Sequence, residues 1–407
     1  MTNKRSDTAA RDDGESIGLF EPIIVSQGSK LRPKLDDLAN SLAERSSALR
    51  STVPPAIGTA LAHIVAIANS YYSNLIEGHH THPLDIERAL NDDYSDDAGK
   101  RDLQLEARAH VAVQEQIDAG SIGTSPFTVE AICEIHRRFC ELLPPKFLLV
   151  DTGTGRDVHL TPGATRTSDV KIGRHLAISP GAVPRFLHRL EEGYKTTGRA
   201  EKVLVAACGH HRLLWVHPFL DANGRVARLA SHAALGSTIE GATLWSIARG
   251  LALQEREYRA HLQACDEPRR GSLDGRGSLS EGALASFAEF FIETCIAQSK
   301  FMQSLLEPRA LRERILKWTL EEVCAGALPE GSTEILEAVL RRGELDRSEM
   351  VAIAGGSEKA AWQPVAALAA SGVVQSETPS SALQLRFPVR LATRFLPGLF
   401  PTTVDAH

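Results

Sequence analysis

Between Trp215 and Leu229 the chain reads WVHPFLDANGRVARL, placing a histidine, an aspartate, an Asn-Gly pair and two arginines within a few positions of one another. Each type has a chemistry. A turn at Asp221-Ala222-Asn223-Gly224, followed by a helix from about Gly224, points backbone N–H groups into one concavity, and Asn and small residues allow such a turn. With the positive end of the helix dipole behind it, that is a nest for an anion, suited to phosphate. Arg225 and Arg228 lie three residues apart and share a face. Two arginines in a first helical turn oppose the dipole unless a polyphosphate lies between them. Asp221 offers a hard oxygen to Mg²⁺, which prefers a carboxylate together with substrate phosphates. His217 can take a proton from an incoming hydroxyl near neutral pH. Pro218 and Phe219 read as anchors of the loop.

Positioning these groups calls for a helical body. LRPKLDDLANSLAERSSALR predicts a helix, and AIGTALAHIVAIANSYYSNLIEG a long amphipathic one with Ile57, Leu61, Ile64, Ile67, Ala68, Tyr71 and Leu75 at three- and four-residue spacing. Gly78 stands where a C′ residue would end it. DLQLEARAHVAVQEQID, TVEAICEIHRRFCELL, AVPRFLHRLEEGYKT, AEKVLVAACGHHRLLWVH, LALQEREYRAHLQACD and the run from Ser280 to Val323 continue the helical pattern. Residues 151–178, rich in Gly, Thr and β-branched types, predict a short hairpin or flap. From about Ser332, three short helices and two β-rich runs around a polar turn give a winged helix-turn-helix pattern. Its second motif helix, Ser357 to Gly372, carries only Lys359 as a cation, next to Glu358. That argues against DNA binding and for a packing or docking module.

Composition sets the outer bounds. With 407 residues, 43% hydrophobic and 24% charged, the chain is long enough for two or three domains with ample core. A net charge of −6 supplies no general attraction to nucleic acid or anionic membrane. The six cysteines contain no C-x-x-C pair, a usage that fits reduced thiols and a cytoplasmic setting. No apolar run suits a membrane span. MTNKRSDTAARDDGES has no signal-peptide core and predicts disorder. Adjacent His210 and His211 point apart on a helix, and His79, His80 and His82 read as a polar loop, so neither group predicts a metal site.

HPFLDANGRVAR closely resembles the signature of Fic domains, H-P-F-x-[DE]-G-N-G-R-x-x-R, departing at Ala222, where most members have Gly. Doc-like members share the Ala but have Lys in place of Gly224 and lack the final arginine. PGATRTSDVKIGRHLAISPGAVPRFL is similar to the Fic flap, and SNLIEG (Ser73 to Gly78) to the inhibitory pattern [ST]-x-x-x-E-[GN]. The resemblance covers roughly Leu31 to Glu322. It implies a mainly α fold: a Fic-type helical bundle with a small β-hairpin flap, plus a C-terminal winged-helix domain. The corresponding division is residues 1–30 disordered or extended, 31–110 N-terminal helices with the inhibitory helix, 111–325 Fic core and 330–401 winged helix.

It further implies transfer of AMP from ATP, with Mg²⁺, to a Ser, Thr or Tyr hydroxyl of a protein, this chain included as a target. In this resemblance His217 is the base, Asp221 the metal ligand, and Ala222, Asn223 and Gly224 the nest. Arg225 stabilises phosphate charge and Arg228 binds the γ-phosphate. Glu77, aided by Ser73, pairs with Arg228 and represses the site. Val170 and Ile172 belong to the flap that holds the target, and Tyr258 contacts the adenine. A homodimer is left open. Two rivals remain: removal of AMP from a modified protein through Glu77, and a DNA-binding regulator with a nucleotide-sensing Fic site.

Overall fold

The computed structural model describes residues 10–123, 125–151, 157–196, 198–353, 358–376, 378 and 381–401, with backbone alone at 347, 348 and 358–361. The molecule is mainly helical, as the periodicity predicts. Its first helices are α1 (Arg32–Ser51), α2 (Pro55–Ile76), α3 (Pro83–Leu90), α4 (Ala98–Asp118) and α5 (Val129–Glu141). Pro55 opens α2 at a position where a missing N–H costs nothing. Thr128 caps α5 by accepting from the Ala131 N–H at 3.2 Å.

The sequence predicts one hairpin after α5, and the structure has two. They are β1 (Leu149–Asp151) with β2 (Asp157–His159), and β3 (Lys171–Ile172) with β4 (His175–Leu176), both antiparallel. The segment between them is instead tied to the core by the buried Arg166, so the strands cannot run on as a single ribbon. Next come α6 (Val183–Gly193), α7 (Arg199–Val216) and α8 (Asn223–Gly236). Helices α9 (Ile247–Leu253) and α10 (Glu255–Cys265) divide at Gln254 a stretch that periodicity reads as one helix. Likewise α11 (Glu281–Leu305) and α12 (Pro308–Cys324) divide at Glu307, whose carboxylate caps α12 ahead of Pro308.

Helix α7 is buried along most of its length, with α8, α1, α6 and α11 packed around it. Helix α8 in turn is enclosed by α2, α4 and α5, so its first turn lies inside the bundle. Among the described residues no helix is long and apolar enough to cross a membrane.

The pattern predicts disorder for residues 1–16. Residues 1–9 lie outside the described ones. From residue 10 the chain is held, without regular structure up to a 3₁₀ turn at Ile17–Phe20: Glu15 accepts from the Ser179 N–H and hydroxyl at 2.6 Å each, and Arg11 meets Asp169 at 2.8 Å. Two acidic residues of this segment have specific donors, Glu15 in Ser179 and Asp12 in Arg185. Phe20, Ile23 and Val25 are then fully buried, with Phe20 against Phe186 and Trp215.

The C-terminal part contains α13 (Ser332–Arg342), β5 (Glu344–Leu345), α14 (Arg347–Ile353), α15 (Glu358–Ala370), β6 (Val374–Gln375) and β7 (Leu383–Leu385). The strands form an antiparallel sheet in the order β5-β7-β6, with Leu345↔Leu383 and Val374↔Leu385 in register. Ser357, the expected start of the second motif helix, lies outside the described residues, as do the side chains of Glu358 and Lys359.

Candidate active site

Helix α7 ends because His217 adopts the left-handed conformation (φ 49°, ψ 64°), a strained state for a residue with a Cβ. Arg166 holds it there. This 2%-exposed side chain donates from Nε to the His217 carbonyl at 2.8 Å and from a terminal nitrogen to the Ile178 carbonyl at 2.6 Å, joining the loop to the base of the flap. His217 Nδ1 lies 3.3 Å from the Leu214 carbonyl, which only accepts, so Nδ1 carries the proton and Nε2 is the basic nitrogen. Burial pushes the imidazole down to about 4, against a smaller upward effect of that hydrogen bond. It is neutral at pH 7.

The loop to α8 is fastened by Asn223, whose Oδ1 accepts from the Phe219 N–H at 3.0 Å while Nδ2 donates to the Phe219 carbonyl at 2.9 Å. Phe219 is buried and stacks on His136 with centroids 3.8 Å apart and planes 1° from parallel. Ala222 takes the second left-handed position (φ 65°), and no side chain caps the helix start. The first N–H groups of α8 therefore have no partner within the helix. Asp221 is exposed, and its Oδ1 accepts from the Ala222 N–H at 2.6 Å.

Glu77 sits across this helix start. Its carboxylate meets Arg228 at 2.5 Å and crowds Gly224 so closely that a Cβ there would be 2.2 Å from Oε1. Arg228 also donates from Nε to the Ser73 hydroxyl at 2.7 Å and to the Ser73 carbonyl at 3.2 Å. The placement follows from how α2 stops: Gly78 has φ 83°, its N–H bonds the Leu75 carbonyl and that of His79 the Asn74 carbonyl, a Schellman closure. Burial alone would raise the Glu77 pKa, but Arg228 and Arg225 hold it below the ordinary carboxylate value.

A cleft of about 220 Å³ gathers Glu77, His217, Gly224, Arg228, Tyr258 and Ile172, with Ile76, His175, Leu214 and Trp215 alongside. A groove of about 900 Å³ beside Phe127 and Tyr194 is larger but includes none of these groups. Tyr258 is 2% exposed and hydrogen bonds His210 at 2.7 Å. In the flap, Ile172 reaches the cleft, and Val170 accepts from the Ala177 N–H at 3.3 Å without lining it. Arg225 does not line the cleft either: its guanidinium pairs with Glu106 of α4 and lies 5.6 Å over the Phe139 ring.

Arg166, Glu106, His211 and Asp266 escape a reading of spacing. His211 hydrogen bonds Asp266 and the Leu262 carbonyl at 3.1 Å each, and all three residues line the cleft. Only the spacing of Tyr258, Leu262 and Asp266, each four residues after the last, hinted that α10 presents one face to it.

Residues 126–235 match the model of the Fic/DOC family. This stretch, which holds α5 to α8 and the hairpins, is where the chain is similar to Fic domains. Two proteins named Protein adenylyltransferase Fic are similar to the chain. The one from Drosophila persimilis is 26% identical over 195 residues, which is 47% of this chain and 34% of that protein. The one from Drosophila willistoni is 28% identical over 115 residues, 28% of this chain and 20% of that protein. The chain thus spans about a third or less of the length of these relatives. The crystal structure of a Fic family protein from Desulfovibrio desulfuricans G20 shares the fold over 89% of this chain and 98% of that one, with a TM-score of 0.53 and 14% identity.

Proposed function

We propose that the chain is a protein adenylyltransferase that moves AMP from ATP to a Ser, Thr or Tyr hydroxyl of a protein and is restrained by Glu77. The observation that carries the reading is the carboxylate of Glu77 lying against Gly224 and Arg228, at the uncapped start of α8. An anion is most favourable there, where N–H groups, the dipole end and a guanidinium converge. Glu77 occupies the place that suits a nucleotide's terminal phosphate, so the two compete for Arg228.

With Glu77 withdrawn, Arg228 would take the γ-phosphate, and the backbone of Ala222, Asn223 and Gly224 would take the phosphates before it. Nε2 of His217 would accept the proton of the target hydroxyl. Its oxygen bonds the α-phosphorus as the bond to the β-phosphate oxygen breaks and pyrophosphate leaves. Asp221, exposed at the nest, fits one carboxylate contact to Mg²⁺ with the phosphates supplying others, since no cluster of three metal-binding side chains exists among the described residues. Bound there, the ion would offset phosphate charge. Ile172, 40% exposed at the cleft, fits contact with a target segment, and Tyr258 contact with the base.

We take residues 330–401 as a winged-helix-type docking module. Six unpaired cysteines fit a reducing, cytoplasmic setting. A second reading has support in one feature, the presence of Glu77 and His217 in the same cleft: the carboxylate could orient water and remove AMP from a modified protein.

The test is incubation with α-labelled ATP and Mg²⁺ of the wild type, Glu77→Gly, and Glu77→Gly with His217→Ala. Label on protein in the second alone, or far above the wild type, is expected, with a loss of roughly 10²–10⁴-fold on removing the base. Absence of label in all three, with loss of AMP removal in Glu77→Gly, would establish the second reading instead.

A further inference from the structure

Glu106 joins two parts of the site that the sequence keeps apart. One carboxylate oxygen pairs with Arg225, and the other lies 2.7 Å from Nδ1 of His79, two residues beyond Glu77. The same Nδ1 is 3.2 Å from Arg225 and cannot both donate to Glu106 and accept from the guanidinium. The bond to Glu106 governs, and it raises the His79 pKa. Arg225 and His79 are therefore two donors on one anion.

The surroundings make this a fixed arrangement. The Glu106 side chain is 2% exposed and that of Arg225 7%. A carboxylate so dry must keep its partners. The next residue on α4, Ala107, accepts from the Ser70 hydroxyl of α2 at 3.0 Å, which fixes the depth of Glu106 in the bundle. Arg225 Nε is buried and has no partner among the described residues, so Glu106, with the Phe139 ring beneath, sets the direction of the guanidinium.

We propose that Glu106 is a positioning residue for the phosphate site: it holds Arg225 beside the first turn of α8, so that the anion site keeps its shape and field when Glu77 leaves Arg228. This rests on the reading of that turn as a polyphosphate site. Glu106 acts through Arg225 and is not itself a competitor for phosphate.

The test uses the full chain carrying Glu77→Gly, alone and with Glu106→Gln or Glu106→Asp. Calorimetry with ATP, ADP and AMP in Mg²⁺ gives the Kd values, with melting temperatures in parallel. Glu106→Gln is expected to weaken ATP and ADP roughly 10- to 100-fold, to change AMP much less, and to be partly rescued by Glu106→Asp. An unchanged or tighter Kd for ATP, or an equal loss for all three nucleotides, would overturn the proposal. If Glu106→Gln does not fold, Glu106→Asp is judged by the same split between ATP and AMP. Transfer of label by Glu77→Gly is scored separately: without transfer the adenylyltransferase reading fails, while the binding series still decides the part played by Glu106.

Discussion

Arg228 and Arg225 stand one turn apart on α8, and each is paired with a carboxylate from another helix, yet the two pairs live in different surroundings. The Glu77 side chain, at the end of α2, is one-third exposed, whereas that of Glu106, in the middle of α4, is almost dry. An ion pair open to water can be exchanged for another anion at little cost, and a dry one cannot. Exposure thus separates the proposed brake from the proposed brace, although both look alike as arginine–carboxylate contacts.

The sharpest way to break this comparison is to remove Arg228 in the Glu77→Gly background. Arg228→Ala should weaken ATP by roughly 10- to 100-fold, the range expected for a charge-assisted hydrogen bond, and leave AMP binding nearly unchanged. Calorimetry with both nucleotides checks it, and equal losses would mean that Arg228 does not read the terminal phosphate. Next in size is a contrast of sign: Glu77→Gly should raise label transfer and Glu106→Gln should lower it. If both single variants raise transfer, the two carboxylates are equivalent competitors and the distinction fails.

Acid should expose what burial does to the core of the site. Burial pushes His110 and His210 down to about 3, and His136, His211 and His217 to about 4. A histidine whose folded pKa is depressed contributes stability that is complete above its unfolded value near 6.5 and is lost as pH falls toward the folded value. Each such group should steepen the loss by at most about 1.4 kcal/mol per pH unit, so denaturant melts from pH 7 to 4 should show a marked decline. His79 has the opposite sign: its raised pKa contributes below pH 6.5, and that contribution fades as pH climbs through the folded value. A flat profile down to pH 4 would mean these imidazoles are protonated without unfolding. The smallest effect expected is at Ala222, whose left-handed backbone (φ 65°) suits glycine. Ala222→Gly should raise stability by about 1 kcal/mol or less, measured by the same melts.

The helical body and the loop from His217 to Arg228 were legible because their information is local: periodic apolar residues, an Asn-Gly turn, arginines three apart. Glu77 was legible through its spacing to Ser73 and Gly78, which fixes its face of α2 and the end of that helix. Glu106 was not, since a glutamate inside DLQLEARAHVAV has the same spacing as any solvated helix residue, and only packing of α4 on α8 dries it. Arg166 sits in a polar run, and it is buried by one local carbonyl acceptor, Ser168, and two more distant ones, Ile178 and His217. The break at Gln254 depends on how α9 and α10 each pack against α11, which no residue at the junction announces.

The segment ahead of α1 has a consequence for anyone who trims the chain. Phe20 fills a slot between Phe186 and Trp215, its ring centroid 5.6 Å from that of Trp215, two residues before His217. Glu15 clasps Ser179 at the foot of the flap. A protein cut to the matched stretch 126–235 would open that aromatic slot to water and unclasp the flap. Residues far outside the matched stretch thus act as a wedge and a buckle for His217, and a protease that clips among them would loosen it without touching a single residue of the motif.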